Sequence, residues 1–286
     1  MDRWLKEFAA RLVEMSIDLT FSIVEIGGRP LGGHTEPFYR LLDLFPGSRI
    51  LAFEPDQALC AEINRQGRPG LTFYPTAISG KRGRRPFYLT RHPMCASLYR
   101  PNEDLIRLYQ NFEVAYLDRI VELDTISLDD FASDFQVEKI DFIKIDIQGA
   151  EYEVFAGAAR VLKNVVAIIC EVEFIPHYVE QKLFGDICQL LERDALMFHK
   201  FLGLEGRTLR PVVMNNNLDF ASQHIWSDAM FIRHVQTIGT LSSTELLKLS
   251  VFAHLYGSPD LCHYCLSAHD QKFQSDLCTL FWRCAQ

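Results

Sequence analysis

Short apolar runs recur along the chain at residues 21–26, 49–53, 71–77, 139–147, 165–171, 197–202 and 229–233. Several are almost continuously apolar, the pattern of parallel strands covered on both faces rather than of a half-exposed sheet. Between them, residues 35–44, 57–66, 150–162 and 181–191 carry helical periodicity. Strand and helix therefore alternate, which predicts a doubly wound α/β sheet with helices on both faces. Residues 1–16 read as an amphipathic helix ahead of the first strand. The alternation breaks over about 86–128, where Pro93, Pro101 and a helical pattern at 103–112 suggest an insertion over the strand ends, a position suited to a substrate lid. After residue 235 the pattern is helical, with turn signals at Gly257-Ser258-Pro259 and Ala268-His269-Asp270. The expected organisation is one α/β domain over 1–235 and a small helical extension over 236–286.

Composition narrows this picture. A chain of 286 residues can bury a substantial core. No apolar run reaches the roughly 18 residues of a membrane span, and the N-terminus lacks the basic start and apolar block of a secretory signal, so a cytoplasmic protein that avoids the membrane is expected. A net charge of −8 opposes nucleic-acid binding. The basic run Lys81-Arg82-Gly83-Arg84-Arg85 is read as a solvated turn. Eight cysteines are dispersed, without the spacing of a disulfide framework. Cys262, Cys265, His269 and Cys278 offer zinc-type ligands but no second tight pair, so they are read as buried side chains of a helix pair, and no metal is expected.

Charge inside an apolar run carries the first functional signal. In residues 139–151, Lys144 and Asp146 interrupt Ile140, Phe142, Ile143, Ile145 and Ile147. Residues two apart on a strand share a face, so the pair lies together where Gln148-Gly149 turns the chain into a helix opened by Glu151 and Glu153. A structural ion pair and acids compensating the helix dipole would account for the same residues. Position favours a site, because ligands of open α/β sheets lie at the carboxyl ends of strands.

A second signal is the loop after the first strand, where Glu25 precedes Gly27, Gly28, Gly32 and Gly33. Glycines let backbone N–H groups approach a ligand, and a following helix N-terminus favours negative charge. Read as a P-loop, Gly28 to Thr35 has His34 where lysine is required. Read as a dinucleotide fingerprint, the glycines are misplaced, although Glu54 follows the second strand; a nicotinamide-dependent oxidoreductase is the weaker alternative. Read as an S-adenosylmethionine (SAM) loop, Glu25 stands near the cationic methionine moiety, Gly27 and Gly28 pass beneath the cofactor, and Glu54 accepts the ribose hydroxyls. Asp56 is read as the N-cap of the helix after it.

Taken together, Glu25-Ile26-Gly27, Phe53-Glu54-Pro55-Asp56, residues 123–129, Lys144 to Glu151 with Val154-Phe155-Ala156-Gly157, and Cys170 to Phe174 resemble the FkbM family of SAM-dependent methyltransferases over about residues 20–235. The resemblance implies a Rossmann-like, seven-stranded class I methyltransferase sheet with a reversed last hairpin. It also implies O-methylation of a small-molecule, natural-product or glycan acceptor, and assigns Ser97 to a family Ser-Leu segment facing cofactor or acceptor. Thr76 and Ala77, after the third strand, fall where adenine would lie, and Gln148 beside Asp146 completes the expected cofactor set. One departure stands out. The family loop usually reads Asp-x-Gly-Ala-Asn-x-Gly, whereas Gly27 to Gly33 lacks the Asn, is longer, and places Arg29 where only solvent or the methionine carboxylate would suit it.

Methyl transfer to a hydroxyl needs positioning and gains from a base. Asp146 is the first candidate, oriented by Lys144; Glu173 and His177, beyond the next strand, come second, with a surface histidine as the plain reading of His177. Glu151 is expected to fix the turn. A non-catalytic binding protein with the same fold is the competing class, and a homo-oligomer is compatible with everything above.

Overall fold

A computed structural model describes residues 3–30, 35–214, 217 and 223–284. The P-loop spacing around Gly32, Gly33 and His34 lies outside the described residues. Eleven strands are described: β1 (Ser22–Ile26), β2 (Arg49–Phe53), β3 (Leu71–Tyr74), β4 (Ala77–Ser79), β5 (Gly83–Thr90), β6 (Leu117–Ser127), β7 (Phe142–Ile145), β8 (Ala167–Glu173), β9 (Leu196–Phe201), β10 (Glu205–Gly206) and β11 (His224–Arg233). The main sheet runs β3-β2-β1-β7-β8-β11, and β9 and the two-residue β10 also pair with β11. β3, β2, β1, β7 and β8 are parallel, whereas β11 is antiparallel to β8 and to β9. Apart from the short β10, seven strands with a reversed last hairpin make up the Rossmann-like α/β sheet that the family resemblance implied. The order changes direction between β1 and β7, which opens a crevice at their carboxyl ends.

The continuous apolar runs become strands buried on both faces: β7 is buried throughout, and Ile23, Val24, Ile143 and Ile168 are fully inaccessible. On one face lie the helices Leu128–Asp134, Glu151–Ala156 and Phe184–Glu192, packed through Phe131, Val154, Phe155, Ile187 and Leu191. The other face is covered by both ends of the chain. The amphipathic helix Arg3–Glu14 buries Trp4, Leu5, Phe8 and Leu12, spaced to form one stripe. Beside it pack Ser243–Leu255, Pro259–Phe273 and Leu277–Cys284. The first of these opens with a reciprocal capping box between Ser242 and Glu245. It places Phe252 flat on Phe142 of the sheet, with ring centroids 4.2 Å apart. Lys248 reaches the strand entrance, where its ammonium donates to Asp141 at 2.7 Å.

Four local expectations are corrected. The helix expected at 35–44 starts at Pro37, as a single 3-10 turn followed by Leu41–Leu44, because proline suits the first position of a helical turn. The insertion is mainly a ribbon, β5 paired with β6, and its helix is only Glu103–Ile106. β6 was missed because residues 117–122 are exposed or half-exposed on both faces, so no period of two marks them. The basic run is a solvated turn only at Lys81 and Arg82, which are exposed in the bend before β5; Arg84 and Arg85 are strand residues, and Arg85 pairs with Glu153. The last strand starts at His224 rather than Ala229 and so includes Asp228. No described helix is long and apolar enough to cross a membrane.

Candidate active site

Two adjoining cavities occupy the crevice at the carboxyl ends of β1, β2 and β7. The smaller, about 120 Å³, is walled by Glu54, Thr76, Ala77 and Ile78 on the sheet side and by Phe87, Leu89, Pro93, Met94 and Leu98 from β5 and the insertion. The larger, about 310 Å³, is walled by Glu25, Glu36, Tyr39, Lys144, Asp146 and Asp228. Ile26, Gly27, Arg29, Met94 and Asp146 line both. A ligand spanning the two would therefore pass between Gly27 and Met94.

Gly27 is where close approach is indispensable. Its φ is +84°, and a Cβ there would overlap the carbonyl oxygen of Asp146. Its N–H donates to the carbonyl of Phe53 at 3.0 Å, so one residue ties the exits of β1, β2 and β7 together. Glu54, almost buried, accepts the Asp56 N–H on Oε1 at 3.0 Å. Asp56 caps the next helix, accepting from Leu59 N–H, as the sequence suggested. Arg29 points to neither place that would suit the methionine reading: its guanidinium lies 3.0 Å from Asp56 and 3.5 Å from Glu54. The first cavity thus joins an apolar slot to a carboxylate at its edge, which suits a flat ring carrying a diol.

Acids dominate the second cavity. Glu25 is buried on β1, and its Oε2 accepts the Tyr39 hydroxyl at 2.5 Å. Burial pushes its carboxyl up to about 7, an effect that the Tyr39 hydrogen bond opposes and nearby Glu36 reinforces. Lys144 stands beside Glu25 in register. Burial alone would favour the neutral amine, but Asp146 and Asp228 outweigh it and hold the ammonium above its ordinary value. Its hydrogen bond goes to Asp228 Oδ1 at 2.9 Å, whereas Asp146 Oδ2 lies 3.9 Å away. Lys144 therefore remains charged and serves as a counter-ion rather than a base.

The turn after β7 is fastened from several sides. Gln148 has a φ of +61°, and its amide nitrogen donates to Asp146 Oδ1 at 2.9 Å and to Glu171 Oε2 at 2.5 Å. Tyr178 places its hydroxyl 3.0 Å from the Gln148 side-chain oxygen. Glu151, fully buried, accepts from the N–H groups of Ile147 and Gly149, which fixes the turn as expected. Burial raises its carboxyl to about 7. Ser97 does not line either cavity; it is buried and donates to the Gln148 carbonyl at 2.7 Å, stapling the insertion to the turn.

Glu173 and His177 are not brought to this crevice. Glu173 is buried beyond the turn, its carboxyl held well above the carboxylate range by burial and by Glu151. His177 is no surface histidine: it sits between the rings of Phe112 and Trp226, and burial, aided by Arg207, lowers its pKa to about 3. Glu36, Tyr39, Met94 and Asp228 were not singled out from the sequence. Asp228 alone left a readable trace, a charge within the apolar run from Ile225 to Ile232 that repeats the signal of Lys144. Among the described residues no group of three or more His, Cys, Asp and Glu could hold a metal ion. Cys262 and Cys265 are buried in the core, and His269 is held by Ser243 and Ser275.

Comparison with known proteins places the chain in a family. The protein is similar to the 2-O-methyltransferase NoeI of Sinorhizobium fredii (strain NBRC 101917 / NGR234), 28% identical over 179 residues that span 59% of this chain and 72% of that protein. Among solved structures it is similar to LepI in complex with SAM, with a TM-score of 0.31, 9% identity and coverage of 79% of this chain and 46% of that one. A pericyclic reaction enzyme gives a TM-score of 0.32 at 8% identity, covering 76% of this chain and 44% of that one. Likeness at this level carries no argument, and the fold rests on its own strand order. Residues 26–196, more than half of the chain, match the methyltransferase FkbM domain, and the chain belongs to that methyltransferase family.

Proposed function

We propose that this protein transfers a methyl group from SAM to a hydroxyl oxygen of a small-molecule, natural-product or glycan acceptor. The observation that carries the reading is the adjacency of the two cavities: an apolar slot edged by Glu54 meets, at Gly27 and Asp146, an acid-walled space lined by Glu25. The name of the NoeI relative, a 2-O-methyltransferase, supports oxygen as the acceptor atom.

In this reading Glu54 would accept the ribose diol, with Thr76, Ala77 and Ile78 beside adenine. Glu25, whose burial makes an uncompensated negative charge costly, would welcome the positive methionine end. Bound there, SAM supplies an electrophilic methyl group on a cationic sulfur. Asp146, which lines both cavities, would face the methionine end of SAM as well as the acceptor, orienting the acceptor hydroxyl and taking its proton as the methyl–sulfur bond breaks, the oxygen–carbon bond forms and S-adenosylhomocysteine is left. Lys144 keeps that carboxylate from facing Glu25 and Glu36 without a compensating cation. Positioning rather than proton transfer supplies most of the acceleration in such a site.

Isothermal titration with SAM and with S-adenosylhomocysteine tests the reading. Binding of both is expected, and Glu54→Ala should weaken it at least tenfold. Absence of heat with either ligand, together with binding of a nicotinamide dinucleotide, overturns it. The contact of Arg29 with Glu54 favours one competing reading, a fold-retaining binding protein in which the diol acceptor is already engaged. SAM binding that is weak in the wild-type chain and tightened by Arg29→Ala, with methyl transfer to no member of a broad hydroxyl panel, would support that alternative.

A further inference from the structure

We propose that Asp228, on the antiparallel last strand and outside the family-matched segment, is a positioning residue that draws Lys144 away from Asp146 and leaves a carboxylate oxygen of Asp146 available to ligand. The inference rests on the methyltransferase reading and extends it to a residue for which that reading has no role.

The argument is one of competition for a single cation. Lys144 is nearly inaccessible, so its ammonium must be satisfied by protein groups. Two carboxylates lie within reach, one two residues along its own strand and one across β8 on β11. At 2.9 Å the contact with Asp228 is a charge-assisted hydrogen bond; at 3.9 Å the contact with Asp146 is only Coulombic. Asp146 Oδ1 is already engaged by the Gln148 amide. Were Lys144 to close on Oδ2, both oxygens of the one carboxylate shared by the two cavities would be committed within the protein. Asp228 prevents this. Its own side chain is 43% exposed and lines the larger cavity, so it holds Lys144 from the solvent side without being sealed into the core. Ser227 anchors the strand at this point, donating to the carbonyl of Gly203, and the Leu202 N–H donates to the Asp228 carbonyl at 2.8 Å.

A double-mutant cycle on SAM affinity provides the test, with melting curves to confirm that each variant is folded. Asp228→Asn is expected to weaken SAM about fivefold, because Lys144 then turns to Asp146. Asp146→Asn should weaken it by at least as much. If Asp228 acts through Asp146, adding Asp228→Asn to Asp146→Asn changes affinity by less than twofold. Additive losses, or an unchanged affinity for Asp228→Asn, overturn the proposal. Lys144→Gln gives an independent arm: in that background Asp228→Asn should be nearly silent, and a retained fivefold loss also overturns it. A wild-type chain that binds neither SAM nor S-adenosylhomocysteine instead fails the functional reading itself, so the two failures are distinguishable.

Discussion

Glu25→Gln probes the electrostatics of the crevice without any ligand. The substitution removes a charge but keeps an oxygen that can accept the Tyr39 hydroxyl. In the folded protein burial lifts the Glu25 carboxyl from 4.5 to about 7. A difference of that size corresponds to about 3 kcal/mol of folding free energy, at about 1.4 kcal/mol for each tenfold change in proton affinity. The sign follows from which state ionises first. Below pH 4.5 both folded and unfolded chains hold the proton, and Glu25 costs nothing. As pH rises, the unfolded chain ionises while the folded one does not, so stability falls until the folded group titrates near 7. Glutamine has no such dependence. Urea unfolding of both proteins at pH 5 and pH 8 should therefore show the variant gaining on the wild type by about 2.5 kcal/mol over that interval. Every other titrating group is common to both and cancels in the difference. A gap between the two proteins that stays constant within about 0.5 kcal/mol would refute the assignment of a high Glu25 pKa to burial.

Gly27→Ala puts a Cβ against the Asp146 carbonyl and forces an L-residue into left-handed backbone; it should lower stability by about 1–3 kcal/mol and SAM affinity by more than tenfold. Calorimetric melting and titration check both, and a variant that binds like the wild type would show that the three strand exits need not meet there. Lys248→Met leaves Asp141 charged and buried beneath the terminal helices, an expected loss of about 3–5 kcal/mol in chemical denaturation. Adding Asp141→Leu should recover much of that loss, and no recovery would assign it to packing instead.

The α/β architecture was legible because burial on both faces leaves a continuous apolar run that few other environments produce. Glu54 and Asp146 were legible for a related reason, since each ends such a run with a charge. Lys144 was visible as an interruption, but its partner was not, because the hydrogen bond to Asp228 joins residues 84 apart in sequence. The apolar roof was harder still. Phe87, Leu89 and Met94 lie in a stretch whose partner strand, residues 117–122, has no buried face to impose a period. Arg29 shows the limit of a local reading: its glycine-rich surroundings suggested solvent or methionine, while the fold brings Asp56 within 3.0 Å of it. His177 looked like a loop histidine for want of any nearby partner, and Phe112 and Trp226, which enclose it, come from distant segments.

The face of the sheet shared by the first helix and the last three has a consequence in time. Trp4 packs against His254 and meets Phe281 edge-on, so a segment made early waits for segments made long after it. Until then Phe142 has Phe38 beside it but lacks Phe252 and Tyr256, the rings stacked on it. The crevice lies at the rim of this unfinished layer, with Tyr256 placing its hydroxyl 3.4 Å from Glu36. A nascent chain with every described strand paired would still lack a settled wall on its acidic cavity, which ties the maturation of the site to helices made after the sheet.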